Sequence, residues 1–107
     1  MIGFEIKVND KIAATVGARD LIALNAVLAV CGDPSTPEAT SVTYMTAIAM
    51  ANGSSKETMR MDRWEVAPCG RSFLIGDTVT IRIVEIDRPS KPDASEEMDR
   101  EEDVDSP

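Results

Sequence analysis

The absence of histidine from this 107-residue chain limits the chemistry that its side chains can perform. Histidine is the commonest general base and the commonest zinc ligand, so dyads, triads and zinc sites that need it are excluded. The sequence also has no phosphate-binding glycine-rich loop, no nucleophile-elbow motif and no helical zinc motif. We therefore expect a protein that is not an enzyme, with no catalytic residue, no cofactor and no metal.

One group of side chains has the composition needed for acid–base work. Glu57, Asp62 and Glu65 lie close in sequence, with Arg60 and Arg63 between them. Alternating charge of this kind is typical of a solvated strand and loop, which is the interpretation we favour. The acidic residues near the C-terminus lack the spacing of a calcium-binding loop.

The two cysteines offer a second candidate. Cys69 lies between Pro68 and Gly70, with Arg71 nearby, a setting that could favour a reactive thiolate. No histidine is present to act as its base, and Cys31 is far away in sequence with no C-x-x-C pairing. We expect two buried, reduced thiols with a structural role.

The first sixteen residues predict a β-hairpin. Apolar and polar residues alternate on both sides of Asn9-Asp10, which supplies turn chemistry. A three-residue loop, 9–11, would keep both apolar sets on one face. That register pairs Val8 with Ile12, Ile6 with Ala14 and Phe4 with Val16.

Residues 20–30 fit two structures. Asp20 could cap a helix that ends before Gly32, with leucines along one face. The same residues also fit a strand that is covered on both sides. The two prolines of residues 33–37 predict a loop in either case.

The remainder predicts further strands. Residues 40–51 alternate with many β-branched side chains, residues 59–66 continue after the Asn52-Gly53 turn with a bulge near Asp62-Arg63, and residues 78–86 form the strongest strand. We expect this last strand to be central, with Val79, Ile81 and Ile83 buried. The predicted fold is mostly β, a small antiparallel sandwich or partly closed barrel of five or six strands. The alternative is a compact α+β domain with one helix near residues 20–30.

The charge distribution suggests a domain boundary near residue 87. Residues 1–87 carry 11 acidic and 8 basic side chains, whereas residues 88–107 carry 8 acidic and 3 basic ones. The second segment has three prolines and few large apolar groups, so little apolar burial can offset its ordering entropy. We predict a globular β domain over residues 1–87 and a disordered acidic tail over residues 88–107.

Three segments resemble an uncharacterised family of small bacterial proteins: Phe4 to Lys11, the Arg63-Trp64 pair, and Gly76 to Glu85. That family has an N-terminal hairpin, a mid-chain glycine-rich turn, a tryptophan-containing strand and a closing G-D-x-V-x-I-x-I strand. The resemblance covers roughly residues 3–87 and implies an all-β fold. It implies no reaction.

The net charge of −8 constrains the partners. Nucleic-acid binding needs a Lys/Arg surface, so we expect no direct contact with nucleic acid. The longest apolar run is too short for a bilayer and no secretory signal begins the chain, so we expect no membrane contact and a cytoplasmic location. An acidic surface would speed encounters with a basic protein.

We therefore expect a small acidic protein-binding domain, most concretely an immunity-type or antitoxin-like inhibitor of a basic partner protein. Its predicted contact residues are Glu57, Asp62, Trp64 and Glu65, with the carboxylates steering the encounter and Trp64, if it is not the core anchor, anchoring the complex. The alternative is a structural or accessory domain that self-associates, for example as a homodimer. Such a domain would associate through an edge strand or through a methionine-rich face. The methionines concerned could also fill the core; they are Met45, Met50, Met59 and Met61.

Overall fold

The computed structural model describes residues 1–32, 35 and 42–99. Within this part of the chain there are seven β-strands in two antiparallel sheets and no helix, so no helix there could cross a bilayer. The strands are β1 (Ile2–Val8), β2 (Lys11–Gly17), β3 (Leu21–Cys31), β4 (Val42–Asn52), β5 (Thr58–Val66), β6 (Val79–Glu85) and β7 (Ala94–Asp99). The predicted mostly-β sandwich is confirmed, and the α+β alternative is wrong.

The two sheets meet through β2, which packs against β4 and β5. One sheet has the order β2-β1-β6 and the other the order β3-β4-β5-β7. Three alanines of β4, at positions 47, 49 and 51, are fully buried, and such small side chains let the facing sheet approach closely. The core therefore needs few aromatics: its larger members are Ile6, Val8, Val16, Met45, Trp64, Val66 and Ile86.

The N-terminal hairpin has a shorter loop than predicted. Asn9 and Asp10 both have positive φ, 53° and 70°, as the tightest hairpin turns require, and Val8 pairs with Lys11. The predicted pairing of Val8 with Ile12 is therefore wrong. A register shift between Ile6 and Lys7 corrects the parity, and the predicted pairs Ile6–Ala14 and Phe4–Val16 are confirmed.

Residues 21–31 form a strand because β4 pairs with them along almost their whole length. Asp20 has φ of 56°, which belongs to a turn and differs from the extended backbone of a helix cap. Leu24, Ala26 and Leu28 lie opposite the buried alanines 49 and 47 and Met45, so they share the inner face of the sheet. We expected β3 to be covered on both sides, but its outer face is exposed.

The closing strand β6 is an edge strand, so the prediction that it is central is wrong. It pairs with β1 alone among the described strands, and β1 is the central strand of this sheet. Ile81 and Ile83 are 44% and 75% exposed although they share a face with buried Ile6. The strand lies where the facing sheet gives little cover.

The predicted disordered tail is wrong for residues 88–99. Residues 88–93, the strap, cross from one sheet to the other: the Ser90 amide donates to Thr15 O of β2 (2.7 Å), and Ser90 O accepts a hydrogen bond from Trp64 Nε1 of β5 (2.8 Å). Strand β7 then pairs with β5. Backbone hydrogen bonds order this segment where apolar burial could not. Residues 100–107 of the predicted tail lie outside the described residues.

Candidate interaction surface

Two of the four predicted contact residues are buried. Trp64 is 2% exposed on the inner face of β5, and its indole N–H is satisfied by Ser90 O. Asp62 is 7% exposed; its carboxylate accepts hydrogen bonds from Ser95 Oγ and from Arg60 Nε (3.3 Å). Trp64 is thus a core anchor that joins β5 to the strap, and neither side chain is placed to contact a partner.

The other two are exposed but do not share a surface with them. Glu57 lies in the turn between β4 and β5, where its amide donates to Ser55 Oγ (3.3 Å). Glu65 is on the outer face of β5 and forms an ion pair with Arg63 at 3.5 Å. Partner binding by the four residues stays a prediction. Of the four, only Glu57 and Glu65 are accessible to a partner.

The cysteines are exposed, so the prediction of two buried thiols is wrong. Cys69 borders an open cleft of about 420 Å³ between the β1–β2 hairpin and residues 67–71. No set of three or more His, Cys, Asp or Glu side chains in the described residues could hold a metal ion. Arg71, the cation nearest Cys69 along the chain, is already committed to Asp77.

Arg71, Asp77 and Asn9 form a hydrogen-bonded latch, which closes the loop of residues 67–78 before β6. Arg71 Nη1 and Nη2 donate to Asp77 Oδ2 and Oδ1, each at 2.7 Å, and Asn9 Nδ2 also donates to Asp77 Oδ1 (2.7 Å). Hydrogen bonds from Arg71, then from the Leu74 amide and Asn9, hold the pKa of Asp77 well below its ordinary value. The latch fastens the loop to the hairpin turn.

Asp77→Asn should make the protein less sensitive to acid. The unfolded carboxyl takes up its proton near pH 4, whereas the folded one does so only at lower pH, so the latch contributes fully above about pH 4 and is lost as the pH falls below it. Urea midpoints measured from pH 6 to 2.5 should fall more steeply for the parent than for the variant. Exposed Asp87→Asn is the control; parallel curves for parent and Asp77→Asn would contradict the assignment.

The methionines lie on both faces of the four-stranded sheet. Met45 is buried on the inner face, whereas Met50 pairs with Met61, and Met59 with Met98, on the half-buried outer face. β5 pairs without interruption with β4, so the predicted bulge near Asp62-Arg63 is absent. The methionine spacing that suggested a bulge reflects a change of face, from outer Met61 to inner Trp64.

The four sheet edges differ in how they are protected. The edge of β7 carries Glu96, Glu97 and Asp99, and the strap hydrogen-bonds to Thr15 on the edge of β2. The short β6 carries Arg82 and Glu85. By contrast, the eleven residues of β3 include no charge and no proline. Charges, proline and covering segments are the usual protection against strand pairing, and β3 has none of them among the described residues.

The side chains of β3 are exposed as well as its backbone edge. Val27, Leu28 and Val30 are 55%, 48% and 66% exposed. Leu28 is on the inner face and Val27, opposite Thr46, on the outer one, so apolar groups flank the edge on both sides. The β3 edge is the surface of the described chain best suited to contact another polypeptide, by extension of the sheet.

No protein-family model, curated protein or solved structure matches this chain. The resemblance drawn from the hairpin and the closing strand is thus without a matching family model.

Proposed function

We propose that this chain is a non-enzymatic assembly domain that binds another polypeptide by strand addition at the β3 edge. The observation that carries the proposal is the eleven-residue uncharged strand at the border of a sheet whose other border is acidic. About half of its backbone N–H and C=O groups face outward, since they alternate along a strand. Satisfying them with a partner strand gives affinity, and the exposed apolar side chains add burial.

We expect one added charge at this edge to weaken assembly strongly. Val27→Lys places a cation on an exposed position of β3 and should weaken association at least about tenfold in sedimentation velocity, without changing the melting curve of the dilute, unassociated chain. Ile83→Lys is the matched control, because Ile83 is also exposed and apolar on a border strand, β6. Equal losses in both variants, or a loss in Ile83→Lys alone, would contradict the proposal.

A second candidate function is inhibition of a basic protein, which the net charge of −8 supports. Salt separates the two. Attraction between opposite charges weakens as salt screens it, so binding to a basic partner should loosen between 50 and 500 mM salt. Assembly through an uncharged edge should not loosen. The charge reversals Glu57→Lys and Glu65→Lys should slow association only in the inhibitor case.

A further inference from the structure

We infer that the occupant of the β3 edge is β3 of a second copy, paired antiparallel about a two-fold axis at Ala26, an inference that rests on the proposed function. The strand runs from Leu21 to Cys31, so Ala26 is its midpoint, and this register pairs residues 23–29 of the two copies beyond the register shift between Leu21 and Ala23. The two four-stranded sheets would become one sheet of eight strands. A two-fold axis uses the same surface on both copies and closes the assembly as a dimer.

The register places large apolar side chains opposite one another. A residue pairs with the one equally far from Ala26 on the other side, so Leu28 meets the second copy's Leu24, and Ala29 meets its Ala23. Within residues 23–29 the pairing preserves the faces of the sheet, because residues at an even separation lie on the same side of an uninterrupted strand. Leu24 and Leu28 of both copies would thus form one cluster on the inner face. This cluster would cover side chains that the facing three-stranded sheet leaves exposed.

Charge favours a second copy over a basic peptide at this edge. The strand itself has no carboxylate to recognise a cation, and the acidic strand β7 lies at the opposite border of the same sheet. A second copy needs no charge complementarity, because it brings apolar residues of its own. Since each copy carries a net charge of −8, salt should strengthen the dimer by screening their repulsion.

The small contact area indicates a weak dimer. Eleven residues extend about 36 Å, and a strip about 10 Å deep along them is roughly 400 Å² on each copy. Stable dimers bury about 800 Å² per partner, so the dimer should be reversible, with a dissociation constant of the order of tens of micromolar.

Cysteine cross-linking tests the register in the full chain. In a background with Cys31→Ser and Cys69→Ser, Ala26→Cys should form a disulfide with itself, because residues directly opposite have Cβ atoms about 5 Å apart. Ala23→Cys and Ala29→Cys should cross-link when the two variants are mixed and not when either is alone. In each separate variant the cysteines would be about 20 Å apart.

The outcomes separate this inference from the proposed function. Self-cross-linking at Ala26 together with the mixed pair supports the two-fold dimer. A dimer that Val27→Lys disrupts but that cross-links only at other positions overturns the register and leaves strand addition at β3 standing. A foreign partner lost on Val27→Lys, with the chain itself monomeric, overturns the dimer alone. A monomeric chain at 500 µM and high salt, with no partner sensitive to Val27→Lys, overturns both.

Discussion

Removing residues 88–107 should destabilise the protein by at least about 4 kcal/mol. The truncation takes away β7 and the strap, with their hydrogen bonds to β5 and to Thr15. It also leaves Trp64 Nε1 without its acceptor and uncovers part of the core around the indole ring. An unpaired buried donor costs about 1–3 kcal/mol and exposed apolar area adds to it, against a total stability of about 5–15 kcal/mol.

The truncation also removes the carboxylate of Glu97, which lowers the stability further. This carboxylate accepts hydrogen bonds from the Ser54 amide at 2.9 Å and from Thr58 Oγ1 at 2.7 Å, so β7 also fixes the turn between β4 and β5. The hydrogen bonds from Ser54 and Thr58 hold the pKa of Glu97 below its ordinary value.

Chemical denaturation of three chains measures this effect: the full chain, one ending at Asp99 and one ending at Asp87. The chain ending at Asp99 keeps every contact described here and serves as the control. Equal urea midpoints for the two truncated chains would show that the strap and β7 contribute nothing to stability.

Ile6→Ala should cost about 3–4 kcal/mol, whereas Ile81→Ala should cost only about 1 kcal/mol. The two isoleucines lie directly opposite each other on β1 and β6, so they share a face of the sheet. Ile6 is fully buried and Ile81 is 44% exposed. Removing a buried side chain loses transfer energy and leaves a cavity, whereas a half-exposed site can be filled by water.

This comparison is internally controlled, because the residue type, the substitution and the sheet are the same. Urea denaturation with unchanged slopes would give the two free-energy differences. Equal costs at the two positions would mean that β6 is covered as fully as β1, and that its description as an exposed edge is wrong.

Local pattern predicted the strands well, because alternation depends on neighbouring residues alone. The hairpin pairs Ile6–Ala14 and Phe4–Val16 followed from parity, although the bulge that restores parity near Ile6 did not. Alternation says which residues share a face, and Ile81 does share one with Ile6. It does not say how far the opposite sheet extends, so the exposure of Ile81 could not be predicted.

The candidate site was harder to predict, because it depends on what lies outside each strand. The composition of residues 88–99 is polar, yet Ser90 and Asp93 order the segment through hydrogen bonds, such as Asp93 N to Arg63 O at 2.8 Å. That segment covers Trp64, so a residue expected to be either core or contact surface became core. The absence of charge from residues 21–31 was visible in the sequence, but its significance depended on β3 being a border strand.

Amide hydrogen exchange along β3, measured as a function of protein concentration, tests the central claim most directly. In dilute solution the outward-facing amides of Leu21–Cys31, alternate residues along the strand, should exchange quickly, while the inward ones that bond to β4 stay protected. Raising the concentration from about 1 µM to 500 µM should slow the outward set at least about fivefold and leave the edge of β6 unchanged. No change along β3, with or without slowing at β6, would contradict assembly of this chain through the β3 edge.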